Sequence, residues 1–189
     1  MKKFGAMRAA IIALMLMIGS QAGAGCGNLC DNSWWETATE ADVQAELDGG
    51  ADVMARNEIG MTPLHKAAHY GYAEKIQALL TADADVMARD VSGSTPLHWA
   101  ALHDAPASIQ ALLAAGADVM ARLEDGGGWT PLHLAASHGS PAKIQALLDA
   151  GADAKAKNKD GKTPWDLVQE NEKLKGTKGY WALNDAQYK

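Results

Sequence analysis

A period of 33 residues governs this sequence. The tetrapeptide TPLH stands at 62–65, 95–98 and 130–133, and a degenerate fourth copy, Thr163-Pro164-Trp165-Asp166, follows; the steps are 33, 35 and 33 residues. IQALL recurs at 76–80, 109–113 and 144–148. ADVMAR recurs at 51–56, 84–89 and 117–122, with ADAKAK at 152–157. Three motifs that hold one phase define a repeated structural unit. A unit this short cannot bury an apolar face alone, so the units must stack on one another.

Each unit reads as two helices. Thr62 is suited to an N-cap and Pro63 to the first helical position, where its missing N–H is no loss. Leu64, Ala67 and Ala68 then form an i, i+3, i+4 apolar face, and Gly71 ends the helix. Ile76, Leu79 and Leu80 share one face of the second helix. In later copies that helix opens with Pro106 and with Ser140-Pro141, and Gly116 and Gly151 end it. Asp83 takes the place of that glycine in the first full unit, so a strained turn is expected there.

The TPLH motif, the AA pair, the following Gly and the LL-x-x-GAD ending resemble the ankyrin repeat, over roughly residues 39–168. The resemblance implies an all-α solenoid of helix-turn-helix units with projecting β-turn or hairpin loops. The expected divisions are a capping half-repeat within 25–56, full repeats at 57–89, 90–122 and 123–157, and a C-terminal capping repeat and tail at 158–189. Trp34-Trp35 replaces TPLH in the first of these, and Thr39 looks like a helix start followed by acids. In the last, Tyr180-Trp181-Ala182-Leu183 is expected to form an apolar lid on the final repeat. Asp125-Gly126-Gly127-Gly128 accounts for the 35-residue step as a two-residue insertion in one finger tip.

The N-terminus carries a different signal. Lys2, Lys3 and Arg8 precede an apolar run at 9–18, and Ala22-Gly23-Ala24 is an A-x-A cleavage site. This order predicts a signal peptide over 1–24, since the run is too short to span a membrane. Cleavage leaves 14 Lys and Arg against 23 Asp and Glu, a charge of −9, which repels nucleic acid and anionic lipid. The expected location is therefore periplasmic or secreted. Export permits a disulfide between Cys26 and Cys30. The alternative is lipidation of Cys26, although Gly23 stands where the bacterial lipobox has a branched apolar residue.

Repeating histidines at 65, 98 and 133 invite a metal or catalytic reading, but the resemblance implies a structural role bonded to Thr and backbone. Met54, Met87 and Met120 occupy a slot where the family usually has Asn. Duplication and packing, a soft apolar contact ridge, and a Cu(I) site are the three readings of that row. No nucleophile motif, phosphate loop or H-E-x-x-H is present, so neither an enzyme nor a cofactor is expected.

What varies between units is more informative. By resemblance, partners bind at the finger tips and on the concave face of the inner helices. Those positions are Glu58, Ile59, Met61, His69 and Tyr70 in the first full unit. They are Val91, Ser92, Ser94, Leu102 and His103 in the second, and Trp129, Ser137 and His138 in the third. Large apolar and aromatic types there suit an interface, with Trp129 and Tyr70 as anchors. The expected function is an exported monomeric scaffold for a protein partner; a metal-handling or oxidative-stress protective factor is the alternative.

Overall fold

The computed structural model describes residues 27–103, 106–138 and 140–188. The segment read as a signal peptide and Cys26 lie outside them. A 3-10 turn, Gly27–Cys30, leads into ten helices: α1 (Asn32–Thr37), α2 (Glu40–Asp48), α3 (Pro63–Tyr70), α4 (Ala73–Thr81), α5 (Pro96–Leu102), α6 (Pro106–Ala114), α7 (Pro131–His138), α8 (Pro141–Asp149), α9 (Pro164–Glu170) and α10 (Lys178–Ala186). No strand occurs among the described residues. The helices pack in two rows: α1, α3, α5, α7 and α9 in an inner row, and α2, α4, α6, α8 and α10 in an outer row.

The periodic apolar residues are the core. Leu64, Leu97 and Leu132, the Ala67-Ala68, Ala100-Ala101 and Ala135-Ala136 pairs, Ile76, Ile109 and Ile144, and Leu79, Leu112 and Leu147 are all fully buried. Alanines let successive inner helices approach closely, while the larger Leu and Ile fill the space between rows. Burial of each Leu or Ile contributes about 1.5–3 kcal/mol. Because the contacts run from unit to unit, stability is a sum over neighbouring interfaces.

Turn chemistry follows the sequence closely. Gly71 caps α3 in the left-handed region, at φ 80°. Outer helices end alike: the N–H of Gly50, Asp83, Gly116 and Gly151 each bonds a carbonyl three residues back, and the next N–H bonds one five back. That geometry requires positive φ at the first of the two. Asp83 supplies it at φ 63° and is the one non-glycine with positive φ among the described residues, so the expected strain is present.

The ends are closed differently. The N-terminal unit has a helix in each row, more than the half-repeat expected. Trp35 is fully buried and its Nε1 donates to the Leu29 carbonyl at 2.9 Å, pinning the 3-10 turn beneath α1. At the other end α10 completes the outer row. Leu183 is fully buried and Tyr180 lies 4.8 Å, ring to ring, from Trp165. Trp181 instead faces solvent, 54% exposed, so only part of the aromatic run packs. Gly179 fits tightly, since a Cβ there would come within 2.7 Å of the Pro141 backbone.

Candidate partner-binding surface

Three hydrogen-bonded ladders tie the units together, and each is made of residues that repeat. In the first, the N–H of Thr62, Thr95 and Thr130 donates to Nδ1 of His65, His98 and His133 at 3.1–3.2 Å. An accepting Nδ1 fixes the tautomer with the proton on Nε2. That Nε2 reaches the next finger, at the carbonyls of Ser94, Trp129 and Lys162, over 3.0, 3.3 and 3.1 Å. Burial disfavours the charged ring and lowers the pKa of all three, to about 4 for His98. These histidines are inter-unit struts.

Arginine forms the second ladder. One guanidinium nitrogen each of Arg56, Arg89 and Arg122 donates to a carbonyl in its own finger, at Gly60, Gly93 and Gly128. The same nitrogen also donates to the next unit, at Arg89, Arg122 and Lys157. The methionines form the third. Sδ of Met54, Met87 and Met120 accepts the backbone N–H of Asp85, Asp118 and Asp153 at 3.3, 3.3 and 3.2 Å. Each of those aspartates then accepts the N–H of the residue two further on, at 2.8 Å. All three ladders stop in the last unit, where Asp166, Lys155 and Lys157 replace His, Met and Arg. Among the described residues no further finger follows for those side chains to reach, and Asp166 forms the local box with Thr163.

The fingers themselves close on a side chain. Oδ1 of Asn57, Asp90 and Asn158 accepts two backbone N–H groups across each tip. Leu123 replaces that residue in the third finger and cannot do this. Only the backbone bond common to all four tips remains, from the Leu123 N–H to the Trp129 carbonyl at 2.9 Å across the inserted glycines, with Gly127 and Gly128 at φ 74° and 70°.

Against this frame the non-repeating residues fall into three groups. Glu58, Ile59, Val91 and His138 are exposed, Ile59 at 48% and Val91 at 67%. Ile59 and Val91 are neighbours on adjacent tips, since the Val91 N–H donates to the Ile59 carbonyl at 3.2 Å. Ser92 is half-buried and bonds Asp90. A second group is half-buried at the C-terminal ends of the inner helices: His69, Tyr70, Leu102, His103 and Ser137. Met61 and Ser94 form the third group and correct the sequence reading. They are 3% and 9% exposed, because the chain has already returned to the stack after the tip glycine. Their N–H groups are held by Asn57 and Asp90, and the Ser94 carbonyl receives His65. Trp129 is an intermediate case. Its carbonyl serves the His98 strut and its ring lies half-buried, 6.0 Å from the His133 ring.

The inner-helix group is an aromatic and imidazole cluster. The rings of His69 and His103 are 3.9 Å apart, and His69 lies 5.4 Å from Trp99 and 4.9 Å from Tyr70. Burial lowers the pKa of His69 to about 4, with His103 and Lys66 adding to the effect. Tyr70 stacks on Tyr72 at 6.0 Å and its hydroxyl donates to the Asn32 carbonyl at 3.1 Å. The two imidazoles therefore lean together, closer than the spacing of their helices alone dictates. Among the described residues no group of three or more His, Cys, Asp or Glu is placed to hold a metal ion. Ser137 and His138 line an open groove with Leu167, Glu170, Asn171 and Lys173.

Three residues that brace the candidate surface escaped the sequence reading. Trp99 fills a position occupied by Lys66 and Leu134 in the flanking units, a variable slot inside the otherwise constant TPLH-x-AA frame. Its Nε1 donates to Asp90 at 2.9 Å, so the ridge is tied to the second finger. Burial would raise the Asp90 pKa, but hydrogen bonds from Ser92, Trp99 and Ser94 outweigh it and hold the carboxylate below its ordinary value. Lys143 is 1% exposed and donates to the Ala101 and His103 carbonyls at 2.9 and 2.8 Å, closing the C-terminal end of α5 from the next unit. Lys75 does the same for Trp35 at 3.5 Å, lying 3.4 Å over the Tyr72 ring. In sequence each looks like an ordinary solvated charge.

Two family models match the chain: Ankyrin repeats (3 copies) over residues 38–122 and Ankyrin repeats (many copies) over 112–168. No curated protein matches it.

Proposed function

Because the chain belongs to the ankyrin-repeat family, whose repeats generally mediate protein–protein interaction, we propose that it is an exported scaffold for a protein partner. The contact surface runs from the tips, at Ile59 and Val91, to the inner-helix ridge of His69, Tyr70, Trp99, Leu102 and His103. One observation carries this reading. Residues that repeat are committed to bonds between units, whereas most of those that vary, Met61 and Ser94 apart, gather where they are at least partly exposed. Adjacent apolar tips and half-buried aromatics are the side-chain types that anchor interfaces. No helix among the described residues is long and apolar enough to cross a membrane.

Export rests on the order of basic flank, apolar run and A-x-A at the N-terminus, and a Cys26–Cys30 disulfide suits that compartment. N-terminal sequencing of the mature protein should begin at Gly25, with no lipid on Cys26 and no thiol alkylated before reduction. A photo-crosslinking residue at Val91, in cells, should capture one dominant protein, and the same residue at Trp181 should not. Ile59→Ser with Val91→Ser should weaken that captured complex by more than about 1 kcal/mol while leaving the urea midpoint unchanged. Equal capture at Val91 and Trp181 would exclude the tips as the contact surface.

A further inference from the structure

The methionine ladder does something that the asparagine usual in this slot could not. It presents three thioether sulfurs in one repeating environment. Met54 is 36% exposed, and Met87 and Met120 are half-buried. Met61, in contrast, is 3% exposed within the stack. Each ladder sulfur accepts one backbone N–H from the following unit. A thioether sulfur has two lone pairs, so one is engaged in the ladder and the other is left for reagents from solvent.

We propose that Met54, Met87 and Met120 are sites of reversible sulfoxidation by hydroperoxides, and that oxidation there loosens the contacts between successive fingers. The chemistry is a two-electron oxygen transfer. The free sulfur lone pair attacks the terminal peroxide oxygen, the O–O bond breaks, and the departing oxygen takes the proton to leave as water or an alcohol. Sulfur is oxidised and the peroxide reduced. A dithiol-dependent sulfoxide reductase reverses it, forming a disulfide and water.

Two consequences follow from the geometry. The first is stereochemical. The two lone pairs of a methionine sulfur give opposite sulfoxide epimers, and because the three sites share the same sequence, partner and distance the ladder is expected to engage the same one at each. Oxidation of the folded protein therefore produces one epimer in excess at all three positions. The second is mechanical. The oxidised sulfur is a poorer acceptor than the thioether. If the oxygen turns toward the aspartate N–H instead, it inserts a bond length into a gap of 3.2–3.3 Å. Either way the link between units is lost or lengthened. Asp85, Asp118 and Asp153 are exposed, so their freed N–H groups can take water and the change remains reversible. In a stacked array, weakening each neighbour interface lowers the stability of the whole.

The test uses the full mature chain treated with hydrogen peroxide. Peptide mass mapping should show Met54, Met87 and Met120 gaining oxygen about tenfold faster than Met61. Epimer-selective sulfoxide reductases should show one class removing most of the oxygen at all three ladder sites. The thermal midpoint should fall by a few degrees and recover after reduction. A Met54→Leu, Met87→Leu, Met120→Leu variant should show no peroxide-dependent shift. Met61 oxidising as fast as the ladder, equal epimers at the ladder sites, or an undiminished shift in the leucine variant would each overturn the proposal. The epimer ratio is read on the natural chain, so the test survives if the leucine variant fails to fold.

Discussion

His98 and His103 sit five residues apart in the same unit, yet they belong to different regions of the molecule. His98 repeats as His65 and His133, is 1% exposed, and bonds on both ring nitrogens. The position of His103 is Tyr70 in one neighbour and His138 in the other, and its Nε2 has no hydrogen-bond partner among the described residues. The difference separates the finger-side frame from the inner-helix ridge. In the frame, each side chain reaches a backbone group one unit ahead, and a change must be matched by the neighbour. On the ridge, side chains pack on one another, and change is tolerated. A repeat array can therefore hold its architecture with one strip and vary its specificity with the other.

The contrast makes the outer row, not the ridge, the place of greatest mechanical dependence. Ending the chain after Gly176 removes α10 and uncovers the final interface, where Leu183 is fully buried and Tyr180 half-buried. The expected cost is about 4 kcal/mol, since a buried Leu contributes roughly 1.5–3 and terminal units seal one bare face. Urea denaturation followed by circular dichroism measures it. An unchanged midpoint would mean that α10 only decorates the stack.

The two histidines give a sharper comparison. His98→Ala strands the Thr95 N–H and the Trp129 carbonyl, and should cost about 3 kcal/mol at roughly 1–3 per buried orphan. His103→Ala removes no ring hydrogen bond among the described residues and should cost no more than about 1 kcal/mol. Equal losses in urea would erase the distinction between frame and ridge.

Acid tests the same struts without mutation. Burial holds the native His98 ring near 4, below its ordinary 6.5, so the unfolded chain binds the proton more readily. Stability is then fully present above pH 6.5 and is lost as pH falls toward 4. Lowering pH from 7 to 5 should remove about 2 kcal/mol through His98 alone, with His65 and His133 acting in the same direction. His98→Gln, whose amide does not titrate, should flatten the dependence measured by denaturation at each pH.

Much of this was legible in the sequence because the repeat displays it several times. TPLH, the AA pair and the Leu and Ile positions specify both helices and their buried faces. What escaped was of two kinds. Met61 and Ser94 vary between units, but variation marks a surface only if the backbone is outside the stack, and here it has already turned inward. Lys143 and Trp99 failed for the opposite reason. A lysine between turn and apolar run looks solvated until the carbonyl end of the preceding inner helix is placed beside it. Trp99 looks like core because it lies among core residues, and only the packing shows it half-buried at the ridge.

The smallest expected effect lies in a single turn and isolates backbone from side-chain contributions. Asp83 occupies the position where the equivalent outer-helix turns carry Gly50, Gly116 and Gly151, at φ 63°. A left-handed conformation costs a residue bearing a Cβ about 1–2 kcal/mol. Asp83→Gly relieves that cost but increases the freedom of the unfolded chain, which returns a part of it. The expected result is a net gain of roughly 0.5 kcal/mol in the urea midpoint. Gly116→Asp is the reciprocal change. A Cβ at Gly116 would meet nothing within 4 Å, so any loss there reports the strain of positive φ and not a clash. If both variants shift the midpoint in the same direction, the turn is governed by its surroundings in each unit. Opposite shifts would show that this part of the frame obeys one backbone rule in every repeat.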